Sequence, residues 1–338
     1  MSQAMTNRER VLATLNHRQP DTVPYNIEFT QKAHAKMAEF YGDPDFASKL
    51  GNCFHGLSVE PPGAWREVRP DTWEDQFSVQ WDRRVDKDIG VVRNRPITPN
   101  NVSDYPFPDP DDPARYAAFE HAVATKGDRF LVAPIDFSLF ERAWTLAGME
   151  PLLMAMVADP AFVHTLLDRI LDFNLKIIEH ACAFDIDAMY FGDDWGHQSG
   201  LLMGPRRWRE FIKPRVKQMY AAVKSRSKYV FIHSCGKVDE LLPDLIECGV
   251  DVFNPFQPEV MDVYDIKRRY GDRLCFYGGI STQRTLPYGT VEETKDEVRR
   301  LLDLVGRNGG YIASPAHAIP ADAKPENVDA MIQVLRNQ

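Results

Sequence analysis

The chain has 338 residues, 44% of them apolar and 26% charged, and 40 Lys and Arg against 49 Asp and Glu give a net charge of −9. This composition is typical of a globular protein with a sizeable core, and the acidic balance argues against nucleic acid or an anionic membrane as a partner. No apolar run reaches the ~18 residues of a membrane span, and residues 1–17 are too polar for a secretory signal. Five cysteines without a regular spacing are expected to be reduced thiols in a cytoplasmic enzyme.

Short β-branched or aromatic runs alternate along the chain with helical patterns, and eight of these runs predict strands. They are Val23–Phe29, Cys53–Val59, Phe130–Asp136, Asp187–Asp193, Tyr229–Cys235, Val252–Phe256, Leu274–Ile280 and Gly310–Ser314. Proline or glycine signals predict helices over Pro205–Lys224, Val238–Cys248 and Val291–Val305. Because eight strand–helix units alternate, we expect an α/β fold, a (β/α)8 TIM barrel, as a single domain over residues 1–338. No G-x-G-x-x-G follows a predicted strand, which argues against a dinucleotide-binding fold.

Residues 61–113 interrupt this alternation with a segment rich in Pro, Asp, Arg and Trp. The segment is too aromatic for a disordered linker. We interpret it as an insertion after the second predicted strand, containing a small hairpin that folds over one end of the barrel. A decorated surface loop is the alternative interpretation.

A His-x-Cys pair at the end of the fifth predicted strand is the strongest chemical signal. Residues two apart on a strand face the same side, so His233 and Cys235 should point together at the end where barrel enzymes hold their active sites. Imidazole and thiolate suit zinc, and His317, just beyond the last predicted strand, is the candidate third ligand. Three ligands and an open fourth position are typical of catalytic zinc. The alternative is a packed strand end with an inert thiol.

Further polar and aromatic residues fall at predicted strand ends. Asp193 and Asp194 follow a buried strand, and we expect one of them to face the lumen in a catalytic role and the other to cap a helix or turn. Tyr277 is a further catalytic candidate. Residues that could contact a substrate are Glu28, Arg142, Trp144 and Trp195. Every barrel mouth contains polar side chains, so each of these is weak alone.

Six segments resemble the uroporphyrinogen decarboxylase superfamily. They are TNRERVLA at residues 6–13, RQPDTVP at 18–24, FIHSCG at 231–236, YGGISTQ at 277–283, AHAI at 316–319 and PENV at 325–328. The resemblance covers nearly the whole chain, and it implies the same barrel. Decarboxylases of this superfamily carry an arginine-rich segment after the first strand for a many-carboxylate substrate, whereas residues 29–34 here contain no arginine. They also lack the His-x-Cys pair.

The zinc methyltransferase branch of the superfamily is the better match. It includes methylcobalamin:coenzyme M methyltransferases and relatives in corrinoid-dependent demethylation, whose zinc ligands are H-x-C and a later cysteine. His233 and Cys235 match that motif, and His317 replaces the later cysteine. The resemblance implies zinc, a corrinoid such as cobalamin that is free or carried by a partner protein, a small methylated substrate, and possible homodimers. Zinc would bind either a thiol acceptor or an ether oxygen.

Two functions of other classes stay open at this stage. A metal-free decarboxylase or lyase would use Asp193, Tyr277 and His317 without zinc. A non-catalytic scaffold would bind a tetrapyrrole without turnover.

Overall fold

A ring of parallel strands forms the centre of the molecule, which we describe from a computed structural model over residues 4–338. The strands are β1 Phe54–Gly56, β2 Arg66–Arg69, β3 Thr72–Glu74, β4 Gln80–Asp82, β5 Val91–Val92, β6 Phe130–Ile135, β7 Ala188–Gly192, β8 Gly196–His197, β9 Gly200–Leu201, β10 Tyr229–His233, β11 Val252–Phe256, β12 Cys275–Ile280 and β13 Tyr311–Pro315. Seven of them pair in the order β1-β6-β7-β10-β11-β12-β13, all parallel. This curled parallel sheet confirms the predicted TIM-barrel-like α/β fold.

The first predicted strand, Val23–Phe29, closes the ring as an extended segment rather than as a regular strand. Tyr25 and Phe29 form isolated parallel bridges to Ala313 and Ile319. On the other side, the backbone N–H of Cys53 donates to the carbonyl of Tyr25 over 3.1 Å. Pro24 has no N–H to donate on one side of the Tyr25 bridge, and Pro315 of β13 has none on the other, so the ladder is not continuous. The prediction of a regular strand here was therefore wrong, although the segment does occupy the eighth position in the ring of strands.

Helices cover the outside of the ring. They are α1 Asn7–Leu15, α2 Gln31–Tyr41, α3 Phe119–Thr125, α4 Phe140–Ala147, α5 Met149–Ala158, α6 Pro160–Ala181, α7 Gly204–Arg207, α8 Lys213–Ser225, α9 Leu242–Cys248, α10 Val263–Tyr270, α11 Thr285–Tyr288, α12 Val291–Leu304 and α13 Pro325–Arg336. A π-helical turn at Trp208–Ile212 joins α7 to α8, so the predicted helix over Pro205–Lys224 contains a change of helical pitch. Gly249 ends α9 in the left-handed conformation, as the sequence predicted. None of the helices in the described part combines the length and apolar character of a membrane span.

The insertion over residues 61–113 contains the antiparallel sheet β2-β3-β4-β5. Its Trp81 is buried and lies 5.1 Å, between ring centroids, from Phe137, which follows β6. Beneath this sheet the Asp75 carboxylate accepts a 2.8 Å hydrogen bond from Arg142 of α4, and both side chains are buried. An ion pair and an aromatic contact thus fix the insertion over the carboxyl ends of the strands.

Replacement of Arg142 by methionine should cost about 3 to 5 kcal/mol of unfolding free energy, because it leaves the Asp75 carboxylate buried without its charged partner. Urea denaturation followed by circular dichroism measures the loss. Arg142→Met combined with Asp75→Asn should recover part of it. Arg66→Met, which removes an exposed pair with Glu74, should change stability little. Equal stability of Arg142→Met and the parent protein would contradict this account.

Candidate metal centre

The alternation of side chains along the strands selects which residues face the lumen. On β10, Tyr229, Phe231 and His233 point inward, and Phe231 packs with other aromatic side chains in the lower lumen. The register places His233 beside Gly192 of β7 and Asn254 of β11, with Tyr190 one lumen-facing position below. Above this layer lies a cavity of about 480 Å³, which is in the usual range for small-molecule sites.

His233, Cys235 and His317 come together at this cavity, as the sequence predicted. Their ligand atoms all lie within 4.8 Å of one another. The Sγ atom of Cys235 is 3.3 Å from Nε2 of His233, and the two imidazole rings have centroids 5.5 Å apart. Two nitrogens and one sulfur form a donor set that zinc accepts, and both histidines line the cavity, so a fourth ligand has access. The triad can therefore hold zinc.

Asn254 and Tyr190 set the orientation of the His233 ring. The Nδ2 group of Asn254 donates to the carbonyl of Tyr277 over 2.9 Å, which leaves its Oδ1 facing Nδ1 of His233 at 2.5 Å. The hydroxyl of Tyr190 donates to the same Oδ1 over 2.7 Å. An acceptor at Oδ1 requires a proton on Nδ1, so the neutral ring presents an unprotonated Nε2 to Cys235. This is the tautomer that a metal ligand needs.

Asp194 organises the turn that carries Cys235. Its Oδ1 accepts the Cys235 backbone N–H over 2.7 Å and lies 3.7 Å from Nε2 of His233. Gly236 makes this turn possible, because its φ of 85° is left-handed and a Cβ there would lie 2.5 Å from the backbone of Gly196. Burial, followed by the charges of Asp194 and Glu141, raises the pKa of the Cys235 thiol. A bound dication would favour the thiolate instead.

The third ligand has an environment that favours its neutral form. Burial among the cavity walls and the nearby His233 lower the pKa of His317. A neutral imidazole has a free lone pair, which is what metal coordination requires.

Acidic side chains dominate the rest of the cavity wall. Burial raises the pKa of Glu28 and Glu141, and raises that of Asp136 to about 6. Glu28 accepts a 3.0 Å hydrogen bond from Asn26, which also donates to the hydroxyl of Tyr277 over 3.1 Å. Glu28, Asp194 and Tyr277 therefore lie where the sequence placed them, at the cavity. Their roles in catalysis and substrate binding stay predictions.

Asp193 does not face the cavity, and its proposed catalytic role needs correction. The side chain is fully buried, and Oδ1 accepts the backbone N–H groups of Leu139 and Glu141 at the start of α4. Its Oδ2 accepts the indole N–H of Trp195 over 2.6 Å. Asp193 is thus a helix-start and loop anchor, while its neighbour Asp194 is the lumen-facing acid. Successive side chains on a strand face opposite sides, which explains why the two aspartates have the different roles that the sequence predicted.

Three of the four predicted substrate contacts also lie elsewhere. Arg142 is buried in its ion pair with Asp75. Trp195 is fully buried and packs edge-on against Trp208. Trp144 of α4 is half-buried and packs on the outer hydrophobic core. None of these three side chains lines the cavity, because tertiary contacts occupy them outside it.

Sequence reasoning missed several residues that do line the cavity. Tyr190 and Asn254 could have been found, because both occupy lumen-facing positions in strands neighbouring His233. Trp65 and Arg83 come from the insertion, Glu60 lies just before it, and Glu141 is at the start of α4. The sequence predicted an insertion that folds over one end of the barrel, but it did not indicate which of these residues reach the cavity.

Removal of the Asn254 acceptor should weaken metal binding about 10- to 100-fold, because the Nε2-unprotonated tautomer of His233 loses its support. Competition with a chromophoric chelator measures the affinity for zinc. Asn254→Leu is the disruptive variant, and Asn254→Asp, which keeps an acceptor at the same atom, should retain tight binding. Thermal unfolding of the metal-free variants controls for folding, and equal affinities in leucine and aspartate variants would refute this role.

Comparison with known proteins places the chain in a family. A family model described as uroporphyrinogen decarboxylase (URO-D) matches residues 83–338. The uroporphyrinogen decarboxylase of Chlorobaculum tepidum is 26% identical over 245 residues, which are 68% of this chain and 67% of that protein. The methylcobamide:CoM methyltransferase MtaA of Methanosarcina barkeri is 29% identical over 131 residues, 39% of this chain and 36% of that protein. The chain thus spans about two thirds of the first relative and about a third of the second.

A solved structure has the same fold over almost the entire chain. The structure of a methyltransferase from Methanosarcina mazei superimposes with a TM-score of 0.73 at 17% identity, covering 98% of this chain and 99% of that one. The family model covers most of the chain, including every metal-ligand candidate. The chain therefore belongs to the uroporphyrinogen decarboxylase (URO-D) family.

Proposed function

We propose that this chain is a zinc-dependent methyltransferase that moves a methyl group between a small methylated substrate or a thiol and a corrinoid. The convergence of His233, Cys235 and His317 at an open cavity carries the proposal. It is supported by the similarity to MtaA, whose name describes methyl transfer from a methylcobamide to coenzyme M. The corrinoid is a reactant here, carried by a separate protein or free.

His233 and His317 would bind the metal through nitrogen and Cys235 through sulfur. Bound zinc supplies a Lewis acid with an open position, which lowers the pKa of a coordinated thiol or polarises an ether oxygen. The residues of the chain do the remaining work. Asn254 and Tyr190 hold the His233 ring, Asp194 holds the Cys235 turn, and the insertion contributes Trp65 and Arg83 to the cavity wall.

Decarboxylation of a porphyrinogen is the second candidate, favoured by the decarboxylase relatives. The wall chemistry argues against it. A substrate with many carboxylates needs several cationic partners, since an unpaired carboxylate is costly to bring into a partly buried site. Among the described residues lining the cavity, Arg83 is the single lysine or arginine, and six are acids. Like charges would repel such a substrate.

Cys235→Ala should reduce bound zinc from about one per chain to below ~0.1 and abolish methyl transfer from methylcobalamin to a thiol, because two ligands hold the ion poorly. Elemental analysis and the visible spectrum of the corrinoid measure these two quantities. Cys248→Ala, in α9 and remote from the triad, is the matched control and should keep both.

Other outcomes would replace the proposal. Less than ~0.1 zinc per chain in carefully prepared parent protein would defeat it, since a complete triad binds zinc tightly. Full turnover in the presence of a chelator would favour a metal-free lyase. A spectral change on mixing with cobalamin, without methyl exchange, would favour a non-catalytic tetrapyrrole-binding scaffold.

A further inference from the structure

The charge of the cavity wall restricts what the cavity can bind. Six carboxylate side chains line it, namely Glu28, Glu60, Asp88, Asp136, Glu141 and Asp194. Arg83 is the one arginine or lysine in the lining within residues 4–338. Zinc bound by the triad with a Cys235 thiolate would add one net positive charge. Arg83 and the metal centre together therefore offset only part of the negative charge.

Asp136 is the acid that most needs a partner from outside the chain. It follows β6 at the cavity, where its side chain is exposed, and within the described residues no donor hydrogen-bonds its carboxylate. Its electrostatic neighbours include the acids Glu60 and Glu28. With a pKa of about 6, a large share of this carboxylate is ionised at neutral pH. An ionised carboxylate that no protein donor satisfies attracts opposite charge, so a cation entering the cavity would be stabilised there.

Aromatic faces provide the second part of a cation site. Trp65, Phe137, Tyr190 and Tyr277 line the same cavity as the acids. The guanidinium of Arg83 lies 4.5 Å from the centroid of Trp65, so one cation already stacks on an aromatic ring of this wall. Aromatic rings combined with carboxylates are the usual surroundings of methylated ammonium groups, which cannot donate hydrogen bonds through a fully substituted nitrogen.

We propose that the methyl donor taken by this cavity is a small cation, a methylated ammonium or sulfonium compound, held by Asp136 and its neighbouring acids against the aromatic wall. The inference rests on the proposed methyl transfer and names its substrate class. The transfer balances. The C–N or C–S bond breaks and leaves its electron pair on the heteroatom, so a neutral amine or thioether departs. The acceptor, a Co(I) corrinoid, contributes the electron pair of the new bond to carbon.

Loss of charge would also assist turnover. The departing thioether carries no positive charge and loses its attraction to the acids, and a departing amine does so until it takes up a proton, whereas the next cation is attracted to the emptied cavity. A neutral methyl ether has no positive charge to lose, so its demethylation does not remove such an attraction to the acids.

Isothermal titration calorimetry on the full-length, zinc-loaded protein tests the inference with two ligands of equal shape. Choline carries the quaternary ammonium, and 3,3-dimethylbutan-1-ol is its neutral isostere. We expect choline to bind at least about tenfold more tightly than the alcohol. Asp136→Asn should weaken choline binding severalfold while leaving the weak binding of the alcohol unchanged. Asp303→Asn, an exposed acid of α12 on the outside of the barrel, is the charge-matched control and should bind choline like the parent protein.

The outcomes are separable from those for the proposed function. Equal binding of the two ligands, absence of choline binding up to ~50 mM, or an unchanged choline affinity in Asp136→Asn would each overturn the cationic substrate class, even if zinc and methyl transfer are present. A protein that binds choline through Asp136 but carries no zinc would retain the cation site and lose the methyltransferase. Metal content is measured on the same samples.

Discussion

The hydrogen bond from Nδ1 of His233 to Oδ1 of Asn254 is the interaction on which the candidate metal centre depends. It determines which ring nitrogen is free, and the free Nε2 is the atom that faces Cys235 and Asp194. The Nδ2 group of Asn254 donates to the Tyr277 carbonyl, and this hydrogen bond fixes the orientation of the Asn254 amide. Hydrogen bonds across three neighbouring strands, β10, β11 and β12, therefore determine the tautomer of the His233 ring. Without the bond to Asn254, the His233 ring would lose the acceptor that selects this tautomer.

Strand register explains why these residues meet. His233 pairs with Asn254 on one side and Gly192 on the other, and Tyr277 precedes the two glycines of β12. A one-residue slip would turn each side chain from the lumen to the outer face. Beneath this layer, Phe54, Phe130 and Phe231 form an aromatic floor that resists such a slip. Packing in the lower barrel therefore fixes the positions of the residues that form the candidate metal centre.

Much of the fold and the triad could be predicted from sequence because both follow from local periodicity. A two-residue spacing placed His233 and Cys235 together, and the apolar runs located the parallel strands. Arg142, Trp144 and Trp195 could not be assigned in this way, since their positions depend on contacts with Asp75, the outer core and Trp208. Val23–Phe29 shows the same limit for backbone, because the effect of Pro24 on pairing depends on its neighbours in the ring. The insertion was predicted to fold over one end of the barrel, but its sequence does not reveal which of its residues, among them Trp65 and Arg83, line the cavity.

The wall charges add a constraint that the fold alone does not contain. A common barrel can serve substrates of opposite charge, because the strands supply the scaffold and the residues after them supply the electrostatics. Here burial raises the pKa of Glu28, Asp136 and Glu141. Ionisation of these groups in the cavity therefore has a free-energy cost. A metal dication at the triad lowers that cost, and a cationic substrate would lower it further. The same acids oppose a polyanion, so the chemistry of this wall supports the proposed methyl transfer over decarboxylation of a porphyrinogen.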